Sequence, residues 1–179
     1  WEEKGVVLKQ VTDFPVEEGS QLTLSTDQPV ELSLLIREPA WWGEDMDITV
    51  NGDRKQLAEP EDGYHEIRRT FKDGDVIEIN MPMEYRIEAM PDDEKRIAFF
   101  YGPVLLNAIL EEEPEDDREE DGEDEEENTK VPQLKGSKEE LLNALEPVEG
   151  KELHFRAEGV GRIRNEDTGQ WKTTDIYLK

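Results

Sequence analysis

The chain has 179 residues, with 47 Asp or Glu against 21 Lys or Arg, a net charge of −26, 34% apolar residues and no cysteine. The charge excludes nucleic acid, whose phosphate backbone needs a basic face to release counterions, and equally an anionic membrane surface. The missing thiols exclude disulfides, thiolate zinc sites and a cysteine nucleophile within these residues, while no apolar stretch approaches the roughly 20 residues of a membrane span and no basic leader opens the chain.

Read in chain order, the dominant period is two. Strands are predicted at Gly5 to Val11, Gln21 to Ser25, Val30 to Ile36, Met46 to Val50, Tyr64 to Phe71 and Val76 to Met81, with a seventh at Glu84 to Glu88. Each has one wet face. Turn signals separate them at intervals of about ten residues, the spacing of a sandwich or barrel. Asn51-Gly52 offers a type I′ hairpin turn, and Lys72-Asp73-Gly74-Asp75 turns the chain again.

After Pro91-Asp92-Asp93 the character changes. Ile97 to Tyr101 and Val104 to Leu110 are apolar on both faces, as in strands covered on each side, and Gly102-Pro103 supplies a bend between them. From Glu111 to Glu127 there are 14 acids and a single Arg, a solvated acidic loop without the spaced Asp/Asn pattern of a calcium-binding EF-hand. A calcium-dependent interaction domain remains the sharper alternative for that tract. Ser137 and Glu140 form a capping box before a short helix stopped by Pro147. Strands are predicted again at Glu152 to Ala157 and Gln170 to Leu178, and Gly159-Val160-Gly161 is read as a turn. The expected fold is all-β, two consecutive antiparallel sandwich modules spanning 1–92 and 93–179. The second is incomplete, with an acidic loop at 111–130 and a helix at 137–146. The start at Trp1 and the stop at Lys179 within an alternating stretch lead us to expect a piece of something longer.

Chemistry is sparse. His65 and His154 are isolated imidazoles, read as structural or exposed. The acids are so numerous that no pair can be singled out for sugar hydrolysis. There is no Gly-x-Ser-x-Gly elbow and no phosphate cradle. No catalytic residue and no metal ligand is assigned. The binding candidates are Trp41 and Trp42 with Arg37, in the loop "REPAWWG", where a flat apolar ring beside polar groups suits a sugar. The bland alternative is that these tryptophans, like Trp171, anchor a core or an interface.

The ordered phrases "WEEKGVVLKQVTDFP" at 1–15, "VELSLLIREPAWW" at 30–42, "GYHEIRRTFKDGDVIEINMPMEYRIEAMPDD" at 63–93 and "RIAFFYGPVLLNAIL" at 96–110 resemble the region C-terminal to the catalytic barrel of glycoside hydrolase family 127, the β-L-arabinofuranosidase-like proteins. "LEPVEGKELHFRAEGVGR" and "DIYLK" resemble the tail of one branch of that family. The resemblance implies an (α/α)6 barrel before residue 1 that carries the cysteine nucleophile, its zinc ligands and the acid/base glutamate, and no position here matches those motifs. It implies an accessory β-sandwich region that acts in carbohydrate metabolism with the catalytic barrel of the same chain as partner, with no cofactor of its own and zinc only on the absent catalytic domain. A carbohydrate ligand and a homodimer are further expected partners, whereas nucleic acid and membrane are not; the region is expected to be soluble, its location in the cell unknown.

A surface this acidic repels itself, so stability is predicted to rise with added salt as the charges are screened. Thermal melts from low to molar salt check this, and a flat melting temperature contradicts it.

Overall fold

The computed structural model describes residues 1–41, 47–109, 133–164 and 170–179. Trp42 and the acidic loop 111–130 lie outside the described residues. The chain is all-β and divides into two compact units, one of Trp1–Arg86 with Phe100–Val104 and one of Ile87–Phe99 with Leu105–Lys179.

In the first unit, six of the seven strands follow the alternating stretches and β5 is added beyond them: β1 (Val6–Val11), β2 (Gly19–Thr26), β3 (Val30–Arg37), β4 (Asp47–Val50), β5 (Asp53–Arg54), β6 (Tyr64–Phe71) and β7 (Val76–Asn80). They form an antiparallel five-stranded sheet, order β1–β2–β7–β4–β5, and an antiparallel pair β3–β6. Period-two alternation decides what each strand buries. Leu22 and Leu24 of β2, Ile48 and Val50 of β4 and Ile77 and Ile79 of β7 join Leu32 and Leu34 of β3 and Ile67 and Phe71 of β6 in one core. That two-sheet core is what makes the unit a sandwich. The β4–β5 hairpin turns at Asn51 and Gly52, with φ of 55° and 79°, the two positive values a type I′ turn requires.

Strands β8 (Tyr85–Ala89), β9 (Ile97–Tyr101) and β10 (Val104–Leu106) form a sheet of order β10–β9–β8. Gly102 makes the β9–β10 turn at φ 52° while buried. A Cβ there would fall 2.6 Å from Cγ and Sδ of Met83, so both conformation and space demand glycine.

The second unit is built on β13 (Phe155–Arg164), flanked by β11 (Gln133–Leu134) and β12 (Leu145–Pro147) and paired with β14 (Trp171–Leu178). Phe99, Leu106, Leu141, Leu145, Phe155, Ala157, Ile176 and Leu178 are its buried apolar residues among those described. The helix α1 (Lys138–Asn143) carries the predicted cap, with Glu140 N–H donating to Ser137 Oγ and Ser137 N–H to Glu140 Oε2. It ends earlier than the expected 146. Leu145 buries itself by pairing with Ala157 in β12, and Pro147 could not have extended the helix. The glycine pair read as a turn lies inside β13, at a register shift between Ala157 and Gly161, which is a bulge. Gly161 is required by packing: its Cβ would sit 2.5 Å from Ile176 Cδ1. Among the described residues no helix is long and apolar enough to cross a membrane.

Candidate functional site

The candidate loop leaves the end of β3 and is fastened at three points. Glu38 N–H donates to the Gly63 carbonyl at 2.8 Å, the Glu38 carboxylate meets His65 Nε2, and Trp41 stacks on Phe14 with centroids 5.6 Å apart and planes 20° from parallel. Trp41 is half-buried by this contact, which takes one face of its indole. Arg37 is exposed and stands opposite Tyr64 in the β3–β6 register, and Tyr64 is itself 42% exposed. The structure therefore brings Arg37 and Trp41 to one end of β3, while Trp42 lies outside the described residues.

His65 is buried on β6, and its two ring nitrogens face only oxygens: Nδ1 meets the Ala58 carbonyl at 3.0 Å and Nε2 the Glu38 carboxylate. The ring thus bridges two oxygen acceptors, one on each side. This pair ties the segment around Ala58 to the Trp41 loop. The sequence showed His65 only as an isolated imidazole, and Phe14 and Glu38 carried no signal. Their partnership exists only once β3 and β6 pair.

Elsewhere on the first unit an open groove of about 420 Å³ is lined in part by acids, among them Asp13, Glu17, Glu18 and Glu78. Two of its carboxylates are engaged. Glu18 Oε1 accepts from Met83 N–H at 2.9 Å and from the Tyr101 hydroxyl at 3.0 Å, and Glu78 Oε2 accepts from Thr49 Oγ1 at 3.0 Å. Burial, then the bond and charge of Glu18, push Tyr101 up to about 12, so it remains a neutral donor. Glu18 thus serves as a structural acceptor.

Residues 1–83 match the family model described as β-L-arabinofuranosidase, GH127 middle domain. Residues 1–83 are thus a GH127 middle-domain-like segment. Solved structures agree in fold: a chain described as a glycoside hydrolase superposes with a TM-score of 0.62 at 22% identity, covering 99% of this chain and 30% of its own length. A GH127 β-L-arabinofuranosidase from Geobacillus stearothermophilus T6 gives 0.61 at 17% identity, with 97% and 27% covered. A GH127 β-arabinofuranosidase gives 0.59 at 19%, with 97% and 28% covered. The chain thus spans under a third of the length of these proteins whose fold it shares. A search of curated proteins gave no match. The zinc implied by the resemblance does not fit these residues: the chain has no Cys, and among the described residues no three His, Asp or Glu side chains converge as a metal site.

Proposed function

We propose that the chain is a non-catalytic accessory region of a family 127-like glycoside hydrolase, which braces the catalytic (α/α)6 barrel of the same protein and leaves cleavage of arabinofuranosyl or related glycosides to it. The carrying observation is the pattern of coverage: 97–99% of this chain aligns with only 27–30% of GH127 and related glycoside hydrolase structures. In this reading zinc and the nucleophile belong to the barrel. The isolated chain is expected to release no arabinose from an aryl arabinofuranoside. Turnover at the rate of a full-length family 127 enzyme overturns the reading.

The exposed Arg37 and Tyr64, paired at the end of β3 from which the Trp41 loop departs, favour one second reading, a carbohydrate-binding module using Trp41, Trp42 and Arg37. Calorimetric titration with arabinose-containing oligosaccharides decides it. Binding heat that disappears in Trp41→Ala supports this reading, and absence of heat removes it.

A further inference from the structure

Strand β14 carries a second aromatic surface, on the outer face of the second unit. Alternation turns Ile176 and Leu178 into the core, 5% and 2% exposed, and sends Trp171, Thr173, Asp175 and Tyr177 outward. Trp171 remains 47% exposed and Tyr177 43%. The register with β13 sets Arg162 opposite Thr173 and Arg156 opposite Tyr177 on the same face. These arginines are fixed in place. The Arg162 guanidinium lies 4.6 Å from the Trp171 ring centroid and donates to Gln133 Oε1 at 3.2 Å. Arg156 donates from Nε and Nη2 to Asp175 Oδ2, at 3.1 and 2.7 Å, and Asp175 Oδ1 takes the Gly159 N–H at 2.9 Å.

We propose that this face binds an extended neutral polysaccharide. A sugar ring presents a flat C–H face that stacks on an aromatic side chain and a rim of hydroxyls that both donate and accept. Here the aromatics stand at the two ends and the space between them offers guanidinium donors with carboxylate and amide acceptors. Because these polar groups already hold one another, a ligand orders few side chains on binding. Six residues separate the rings along one strand face, roughly 20 Å at the rise of a β-strand, a span for several linked sugars rather than one.

Charge selects among polymers. Arg156 already faces Asp175 and Glu158, and the chain as a whole carries −26, so a uronate-rich polymer is repelled. The same repulsion rejects single-stranded nucleic acid, which an aromatic and arginine-bearing face would otherwise suit. The inference does not depend on what the parent protein cleaves.

The test is affinity electrophoresis of the full 179-residue chain in gels carrying linear arabinan, xylan, polygalacturonate or poly(dT). Retardation by a neutral polymer is expected, weakened about tenfold in Trp171→Ala and in Tyr177→Ala, each a loss of one stacking contact. Trp171→Tyr keeps a ring and should keep most of the binding, which separates lost stacking from lost folding. Three results overturn the proposal: no retardation by either neutral polymer, retardation lost in Trp41→Ala but intact in Trp171→Ala, or preference for poly(dT) or polygalacturonate.

Discussion

Phe71→Ala should cost about 4 kcal/mol, the range for emptying a well-packed aromatic site, and lower the melting temperature of the first unit by roughly 15 °C or more. Phe71 is the last residue of β6, 0% exposed, and lies in a core with Leu24, Ile48, Val50 and Ile77, all equally enclosed. The neighbours that define the site are strand residues pinned by backbone ladders, so they cannot collapse into the space the ring leaves. The Arg69 guanidinium, 5.4 Å from the ring centroid, would lose its aromatic neighbour as well. Leu35→Ala provides the contrast. Leu35 points outward from β3 at 61% exposure, and its truncation should stay within about 0.5 kcal/mol. Urea titrations of the two variants check the ordering. Equal midpoints would mean that the β3–β6 pair does not close over a shared core with the five-stranded sheet.

The parts of this structure that were legible in the sequence are those set by neighbours in the chain. Alternation from Tyr64 to Phe71 marks a strand with those same bounds, because one face must be apolar throughout. Asn51-Gly52 marks a turn because few other pairs adopt two consecutive positive φ values. Ser137 and Glu140 announce α1 because each satisfies the other's backbone donor. Strand order was not legible: β7 sits between β2 and β4 through contacts between distant segments. Nor was the bulge in β13, since two glycines read as a turn until Ile176 is seen filling the space at Gly161. The candidate site was half legible. "REPAWW" stood out by composition, yet what orders it, His65 on Glu38 and Phe14 on Trp41, depends on residues that only tertiary pairing brings near. Trp171, read as anchoring a core or an interface, is not in the core of this chain: β14 places it on the outward side of the alternation, 47% exposed.

Asp75→Ala should cost about 2 kcal/mol at neutral pH, as hydrogen bonds to a charged acceptor are lost at the joint between two turns. Asp75 is 6% exposed. Its Oδ1 accepts from Asn51 Nδ2 at 2.8 Å and its Oδ2 from Lys72 N–H at 2.9 Å, while Asn51 returns two bonds to Val76, one through Oδ1 and one through its backbone N–H. One carboxylate thereby locks the type I′ turn of β4–β5 to the turn that leads into β7. Burial alone would raise its pKa, but the bonds from Asn51 and Lys72 and the charges of Arg69 and Lys72 outweigh it and hold the carboxyl below its usual value of 3.8. A carboxylate depressed by folding contributes stability that is complete above the unfolded pKa and is lost as pH falls through the folded one. The whole chain behaves differently, since protonating its many acids relieves their repulsion. The difference between wild type and variant isolates Asp75. That gap should be widest at neutral pH and narrow as pH drops below about 4, toward and through the depressed pKa. Denaturant midpoints of the two proteins across this range measure it. A gap that stays constant with pH would show that the side chain acts by filling space rather than by its charge.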